Sequence, residues 1–322
     1  MPLNYLARRL LNSALLLFGA SVLTFVLVDL APGEFFDEMR INPRISTSTI
    51  ANLRSEYGLD LPFPARYWRW LRSVAKGDGG FSFAYDSPAA PILWRRAQNT
   101  LLLTVPATLL AWLIAIPFGV WSAAKSAHWP DALAAITIST LLAIPELILA
   151  LLLLVFAVRT GLFPAGGAIS LGFSGMPLWS KSEDVARHLF LPVLCLAAGL
   201  LPLLLSHVRA SMKEVLGSPF IGAAAAHGIS QWRLLFRHAL PASANPLISL
   251  FGFSLGILLS SSLIVEGVFG WPGLGQLLIE SILQRDFYLA VDAVVLAAGF
   301  LICGNLLADV LLYWADPRIR AT

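Results

Sequence analysis

Residues 100–124 read TLLLTVPATLLAWLIAIPFGVWSAA, a run without a single Asp, Glu, Lys or Arg. A helix rises 1.5 Å per residue, so about 20 apolar residues cross the roughly 30 Å of a bilayer's hydrocarbon core. This run is long enough. The same pattern recurs at Leu10–Val28, His188–Ser206 and Ser243–Val265, all free of charge. Ala132–Val158 carries only Glu146, and Leu289–Ala308 only Asp292. Six such stretches predict six transmembrane helices in an all-α polytopic membrane protein. Composition agrees: 57% of the 322 residues are hydrophobic and 13% are charged, against about 25% charged in soluble domains.

The first span follows Arg8-Arg9, as the apolar region of a signal peptide would. Asp29-Leu30-Ala31-Pro32 is a poor cleavage site, however, and five further spans follow, so the segment reads as an uncleaved helix. Cys195 and Cys303 both fall inside predicted spans, which offers neither a disulfide framework nor a metal cluster. The formal charge of +3 is modest. No nucleic-acid partner is expected, and membrane lipid is the surrounding the apolar runs require.

Lys and Arg in short loops set orientation. An N-in, C-in arrangement places Arg8, Arg9, Lys125, Arg209, Lys213, Arg233, Arg237, Arg318 and Arg320 on the cytoplasmic side. Arg159, Lys181, Arg187 and Arg285 then lie in the opposite loops. The organisation is a tail and first helix over 1–30, an extracytoplasmic segment over 31–98, helices two to six over 99–315, and a cytoplasmic tail over 316–322. Segment 31–98 has an amphipathic stretch around Tyr67-Trp68-Arg69-Trp70-Leu71 and turn signals at Gly77-Asp78-Gly79-Gly80. It reads as a small folded elaboration, for which packing on the helix ends and binding are both open roles. Pro106, Pro117, Pro145, Pro192 and Pro202 interrupt the spans, as lipid tolerates where neighbours satisfy the freed carbonyl. Between helices five and six, Trp271-Pro272-Gly273 precedes an amphipathic run with Leu274, Leu277, Leu278 and Ile282 on one face, predicted as a short interfacial helix. The two halves show no internal duplication, which argues against an inverted-repeat transporter.

Between two apolar spans lies SPFIGAAAAHGISQWRLLFRHALP, residues 218–241. Ser218-Pro219 is a helix-start signal. Ala223 to Ala226 give a slim face that a partner can approach closely. Gly228 is placed to end the helix in a left-handed conformation. Ser230 is placed to cap a second helix through Trp232, Leu235 and Phe236 to a stop at Pro241. On the local pattern alone, an ordinary loop helix and a grip for a cytoplasmic partner are both open.

Chemistry of the enzymatic kind is missing. No GxxxxGK[ST], GxSxG, HExxH or CxxC motif occurs, and the five histidines do not cluster. Glu146, directly after Pro145, is the one ionisable residue deep in the uncharged spans. Such residues are costly and often functional. It either lines a path and attracts a cationic substrate group, or packs as a hydrogen-bonded or protonated carboxyl.

The hairpin resembles the cytoplasmic EAA motif of ABC importer permeases: Gly222-Ala223-Ala224, then Gly228, then Leu240-Pro241. Gly222 stands where the motif has Glu, which removes one polar contact point. The rest of the chain is similar, in order and over nearly its full length, to the dipeptide/oligopeptide/nickel permease subfamily. The matching residues are Asn4–Leu10, Ala31-Pro32-Gly33, Tyr57-Gly58-Leu59-Asp60, Pro62, Gly77-Asp78, Phe81-Ser82, Asn99-Thr100-Leu101 and Gly161-Leu162-Phe163-Pro164. Near the end they are Glu266, Val268-Phe269, Trp271-Pro272-Gly273-Leu274-Gly275, Arg285-Asp286, Asn305-Leu306, Asp309, Tyr313 and Asp316-Pro317-Arg318-Ile319-Arg320. The resemblance implies a type I ABC importer permease in a bacterial inner membrane, with a second, usually non-identical permease subunit. It also implies two ATP-binding subunits and an extracytoplasmic solute-binding protein. This chain would bind no cofactor, with ATP and Mg on the partner ATPase. The coupling contacts would fall on Gly222, Ala223, Ala224, Gly228, Trp232, Arg233, Leu235, Phe236, Arg237, Leu240 and Pro241. Di- or oligopeptides are the expected substrates, with nickel or another small solute as the alternative. A self-contained secondary transporter and a membrane scaffold are the readings from other classes.

Overall fold

The structure is a computed structural model and describes residues 3–30, 48, 51–52, 54–55 and 58–315. Ala31-Pro32-Gly33, Tyr57 and the tail 316–322 lie outside the described residues, as does much of segment 31–57. In chain order the helices are α1 (Leu3–Asp29), α2 (Phe63–Ala75), α3 (Ala89–Ala124), α4 (Trp129–Ala143), α5 (Glu146–Thr160) and α6 (Leu178–Leu216). They continue with α7 (Pro219–Ala226), α8 (Gln231–Ala242), α9 (Ala244–Phe269), α10 (Leu274–Leu283) and α11 (Phe287–Ala315). A two-residue hairpin, β1 (Phe81–Ser82) with β2 (Ser87–Pro88), precedes α3. Among the described residues four helices are long and apolar enough to cross a membrane, and up to seven spans result if each of three bent pairs is one.

The expected single helix over Ala132–Val158 is two. α4 and α5 meet at a 92° bend. Ile144 is extended there (φ −94°, ψ 111°) and Pro145 caps α5. Proline has no N–H to donate and disfavours helical backbone in the residue before it. Pro106, Pro117, Pro192 and Pro202 stay inside α3 and α6.

The described residues fall into two compact units. The larger consists mainly of Leu101–Trp271 with the part of α11 from Phe300. Its core is built on α6, where Leu196, Leu200, Leu204, Val208 and Met212 are fully buried at helical spacing among Trp112, Leu258, Val265 and Trp271. Trp112 Nε1 donates to Ser254 Oγ at 3.2 Å, so its polar edge is satisfied. Small residues set the closest helix approaches. A Cβ at Gly119 would stand 2.6 Å from Val208, and one at Gly252 would overlap Ala308 Cβ and stand 2.7 Å from the Gly304 carbonyl.

The smaller unit comprises Ala7–Thr100 and Pro272–Gly299. Phe25, Tyr67, Trp70, Tyr288 and Val291 form its core. Four aromatic rings pack around Phe25, with Phe287 at 4.8 Å and Tyr67 at 5.3 Å, both edge-on. Polar pins hold the loops: Trp70 Nε1 to Asp292 Oδ1 at 2.7 Å, Ser82 Oγ to Asp286 Oδ2 at 2.6 Å, and Arg96 to Glu280 at 3.0 Å. Arg66 of α2 pairs with Asp29 at the end of α1. Burial raises the Asp286 carboxyl above its usual range, while its hydrogen bonds to Ser82 and to Ala84 N pull the other way. The expected helix after Trp271-Pro272-Gly273 is present as α10. Leu274 and Leu277 are buried and Ile282 is exposed.

Gly252→Ala has nowhere to place its methyl, because its neighbours are backbone and an alanine. It should lower stability by about 1–3 kcal/mol, the usual range for overpacking. Gly299→Ala meets nothing within 4 Å and should cost nothing. Thermal unfolding of the detergent-solubilised chain compares the two.

Candidate functional site

The hairpin begins where α6 ends. Gly217 N bonds the Lys213 carbonyl at 3.2 Å, and Ser218 N bonds Val215 at 3.0 Å. The Ser218 hydroxyl does not cap α7, as its position suggests. It donates to the Val215 carbonyl at 2.5 Å, and the first amides of α7 receive no side-chain acceptor. α7 runs through the four alanines and stops at His227, with Gly228 left-handed at φ +77°, as expected of that glycine.

The second limb differs from expectation. Ser230 stands at the N-cap without a side-chain hydrogen bond. Gln231–Arg233 is α-helical, Leu234–Ala239 is a π turn, and Leu240–Ala242 returns to α geometry. Helical backbone therefore runs past Pro241, and the break comes at Ser243, where α8 and α9 meet at 65°. Pro241 lies in the first turn of the last α segment, where a missing N–H is tolerated.

Burial splits the hairpin into two faces. Ile221, Leu235 and Ala239 belong to the core of the larger unit, with Leu234 and Leu240 packed against it. Leu235 is thus not available to a partner; its side chain roots the hairpin. Gly222, Ala223, Gly228, Trp232, Arg233, Phe236, Arg237 and Pro241 are exposed, and Ala224 is half-buried. Trp232 is 72% exposed and Phe220 51%, unusual values for aromatic residues on a polar segment. Trp232 and Phe236 meet edge-on with ring centroids 4.2 Å apart, the (i, i+4) contact of a helix face. The arrangement is an aromatic patch flanked by Arg233 and Arg237.

One feature near the hairpin root was not legible as a site. Asp131, in the first turn of α4, accepts from Arg209 Nε at 2.6 Å and from Lys213 Nζ at 2.9 Å. This clasp ties the last turns of α6, from which the hairpin springs, to the start of α4. Its members are 78 and 82 residues apart, so no local pattern announces it.

Glu146 is the first residue of α5, next to the break. Its Oε1 is buried and makes no hydrogen bond, and a Cβ at Gly199 of α6 would lie 3.7 Å away. An acidic side chain in a helix's first turn is favoured by the helix dipole. Asp292, the other charge within the spans, is held by Trp70.

Many apolar helices, broken within their spans and joined by an exposed aromatic and cationic hairpin, define a polytopic membrane component. Comparison with known proteins agrees. Residues 115–321 match the family described as binding-protein-dependent transport system inner membrane component, and residues 2–108 match its N-terminal region. The oligopeptide transport system permease protein AppB of Bacillus subtilis is 36% identical over 98% of this chain and 99% of its own length. A putative peptide permease of Brucella ovis is 32% identical over 99% of this chain and all of its own. The glutathione transport system permease protein GsiC of Salmonella paratyphi A is 33% identical over 99% of both. The chain belongs to this family, the ABC importer permeases of the dipeptide/oligopeptide/nickel type, and is a multi-pass protein of the bacterial inner membrane.

Asp131→Asn keeps the size of the side chain but leaves Arg209 and Lys213 without their carboxylate. Loss of charged hydrogen bonds of this kind should lower stability by about 1–3 kcal/mol. Limited proteolysis should show the hairpin cut sooner than in the parent chain, while cleavage within the smaller unit is unchanged.

Proposed function

We propose that this permease forms half of the translocation path of an ATP-driven peptide importer, and that the 218–241 hairpin is where a separate ATPase takes hold. One observation carries the reading: an exposed aromatic pair, Trp232 and Phe236, flanked by Arg233 and Arg237, sits on a hairpin rooted in the core by Ile221, Leu235 and Ala239, with Phe220 also exposed on its first limb. Aromatic and arginine side chains are the usual anchors of protein interfaces. Arg233 and Arg237 suit an apolar groove with an acidic rim. Gly222, Ala223 and Ala224 let a partner backbone approach closely, while Gly228 and Pro241 set the course of the hairpin's own backbone at its turn and at its end.

Such an assembly has two ATP-binding subunits that hold ATP and Mg, a second permease subunit, and an extracytoplasmic binding protein that delivers the substrate. ATP hydrolysis then lies outside this chain. Six crossings with both termini in the cytoplasm put the hairpin on the ATPase side and segment 31–98 on the other. Peptides are the substrate class that the oligopeptide and glutathione relatives have in common. Glu146 lines the path in this reading and attracts a peptide amino terminus or basic side chain, since its carboxylate lies at a helix break with one oxygen unpartnered.

Deleting 219–240 should leave membrane insertion intact and abolish ATPase association. A pull-down that still recovers the ATPase from that deletion would sink the docking role. Glu146→Gln should weaken uptake of cationic peptides severalfold more than uptake of neutral ones. Equal losses for both classes in a transport assay would assign Glu146 to packing alone.

A further inference from the structure

The turn Leu234–Ala239 is wider than an α turn, with Leu240 N donating to the Leu235 carbonyl five residues back. A proline stands next to it. Pro241 has no N–H, and in an α register its ring would meet the carbonyl of Arg237, four residues earlier. A wider turn carries that carbonyl away. The π turn and Pro241 therefore belong together.

The consequence is a change of rotational register within one limb. Leu235, Ala239, Ser243 and Leu247 are all buried. They repeat every four residues, whereas an α-helix repeats every 3.6. In unbroken α geometry each step of four drifts by about 40°, so over three steps the set would swing out of the core. The π turn, together with the bend at Ser243, absorbs this drift. Trp232 and Phe236 can then face outward while Ala239, Ser243 and Leu247 keep their places. Single π turns are frequent at functional sites, and this one lies between Trp232 and α9.

We propose that the π turn 234–239 is the positioning element of the hairpin. It sets the angle at which the patch is presented, and its exchange with an α turn converts movement of a docked partner into rotation of α9. The proposal rests on the docking role proposed above. An α register lacks the extra residue, so the patch would turn by about 100° relative to α9. A packed core holds two discrete arrangements more readily than a continuum, which suits a two-state step.

The test uses the whole complex, purified from the native host and reconstituted in vesicles. Deleting His238, which is half-buried and outside the exposed patch, removes the extra residue and enforces the α register. Pro241→Ala removes the clash that holds the turn open. His238→Ala keeps the residue count and is the control. Both register variants should retain the ATPase at parental stoichiometry while peptide uptake per ATP hydrolysed falls at least about tenfold. The control should match the parent. Parental uptake in both variants would overturn the proposal. So would loss of the ATPase from both, because the turn would then only shape the docking face. If the His238 deletion does not fold, Pro241→Ala reads the same split alone. Failure of the docking role itself shows separately, as ATPase retained after deletion of 219–240.

Discussion

The larger unit depends on one constraint: hydrocarbon offers its backbone no water, so each interruption of a helix must satisfy its own polar groups. Three interruptions do so by different chemistry. After Pro145, the amides of Ile148 and Leu149 both reach back to the Pro145 carbonyl, at 2.9 and 3.1 Å. At Ser243 the amide bonds Ala239 at 3.0 Å and the hydroxyl donates to Leu240 at 2.9 Å. At Gly270 the chain turns left-handed at φ +60°, which lets Trp271 N return to the Glu266 carbonyl at 2.9 Å. Because these breaks close on themselves, the chain can change direction within its apolar spans. Trp271, the residue after the last break, is then free to fill the core of the unit.

Several of the described residues that carry the family likeness are structural pins. Asn99 Nδ2 donates to the Pro272 carbonyl at 2.8 Å, and Leu274 N donates to Thr100 Oγ1 at 2.7 Å. Together they fix the Pro272-Gly273-Leu274 turn against the side of α3. Ser82 does the same for Asp286. Gly161 ends α5 in the left-handed region, and Phe163 stacks flat on Phe190, 4.8 Å between centroids. The Asn99, Thr100 and Ser82 pins join segments distant in sequence, so the spacing of these motif residues reflects the fold more than any chemistry of transport. A unit whose buried core is four aromatic residues and Val291 needs such pins, since buried, satisfied polar contacts specify one arrangement where apolar packing alone does not.

How much of this was legible follows from the range of each signal. Apolar runs of some 20 residues are local and strong, so the helical membrane class could be read directly. Pro145 as the breaking proline was also within reach. Of the six prolines in the spans, it alone is followed at once by an acid, and Pro-Glu is a helix-start pattern. Pro106, Pro117, Pro192 and Pro202 precede apolar residues and stay helical. The Asp131 clasp was out of reach, because Arg209 and Lys213 look like solvated charges until folding brings α4 beside α6. The role of Leu235 was hidden for a related reason. Its neighbours Leu234 and Phe236 are as apolar as it is, and only the widened turn decides which of the three faces inward.

That division between faces matters beyond the hairpin. In one limb, Leu235 and Ala239 contribute to folding while Trp232 and Phe236, interleaved with them, contribute nothing to the core. Exposed aromatics of this size are poorly accounted for by stability, since burying a side chain of that kind is worth about 1.5–3 kcal/mol that the isolated chain forgoes. Lipid does not explain them either, because Arg233, Arg237, Gln231 and His227 share the same surface. A surface that is aromatic at its centre and cationic at its margin fits another protein better than it fits either water or lipid. The stability of the permease and the strength of the proposed docking are therefore set by different residues a position apart, and either can change without the other.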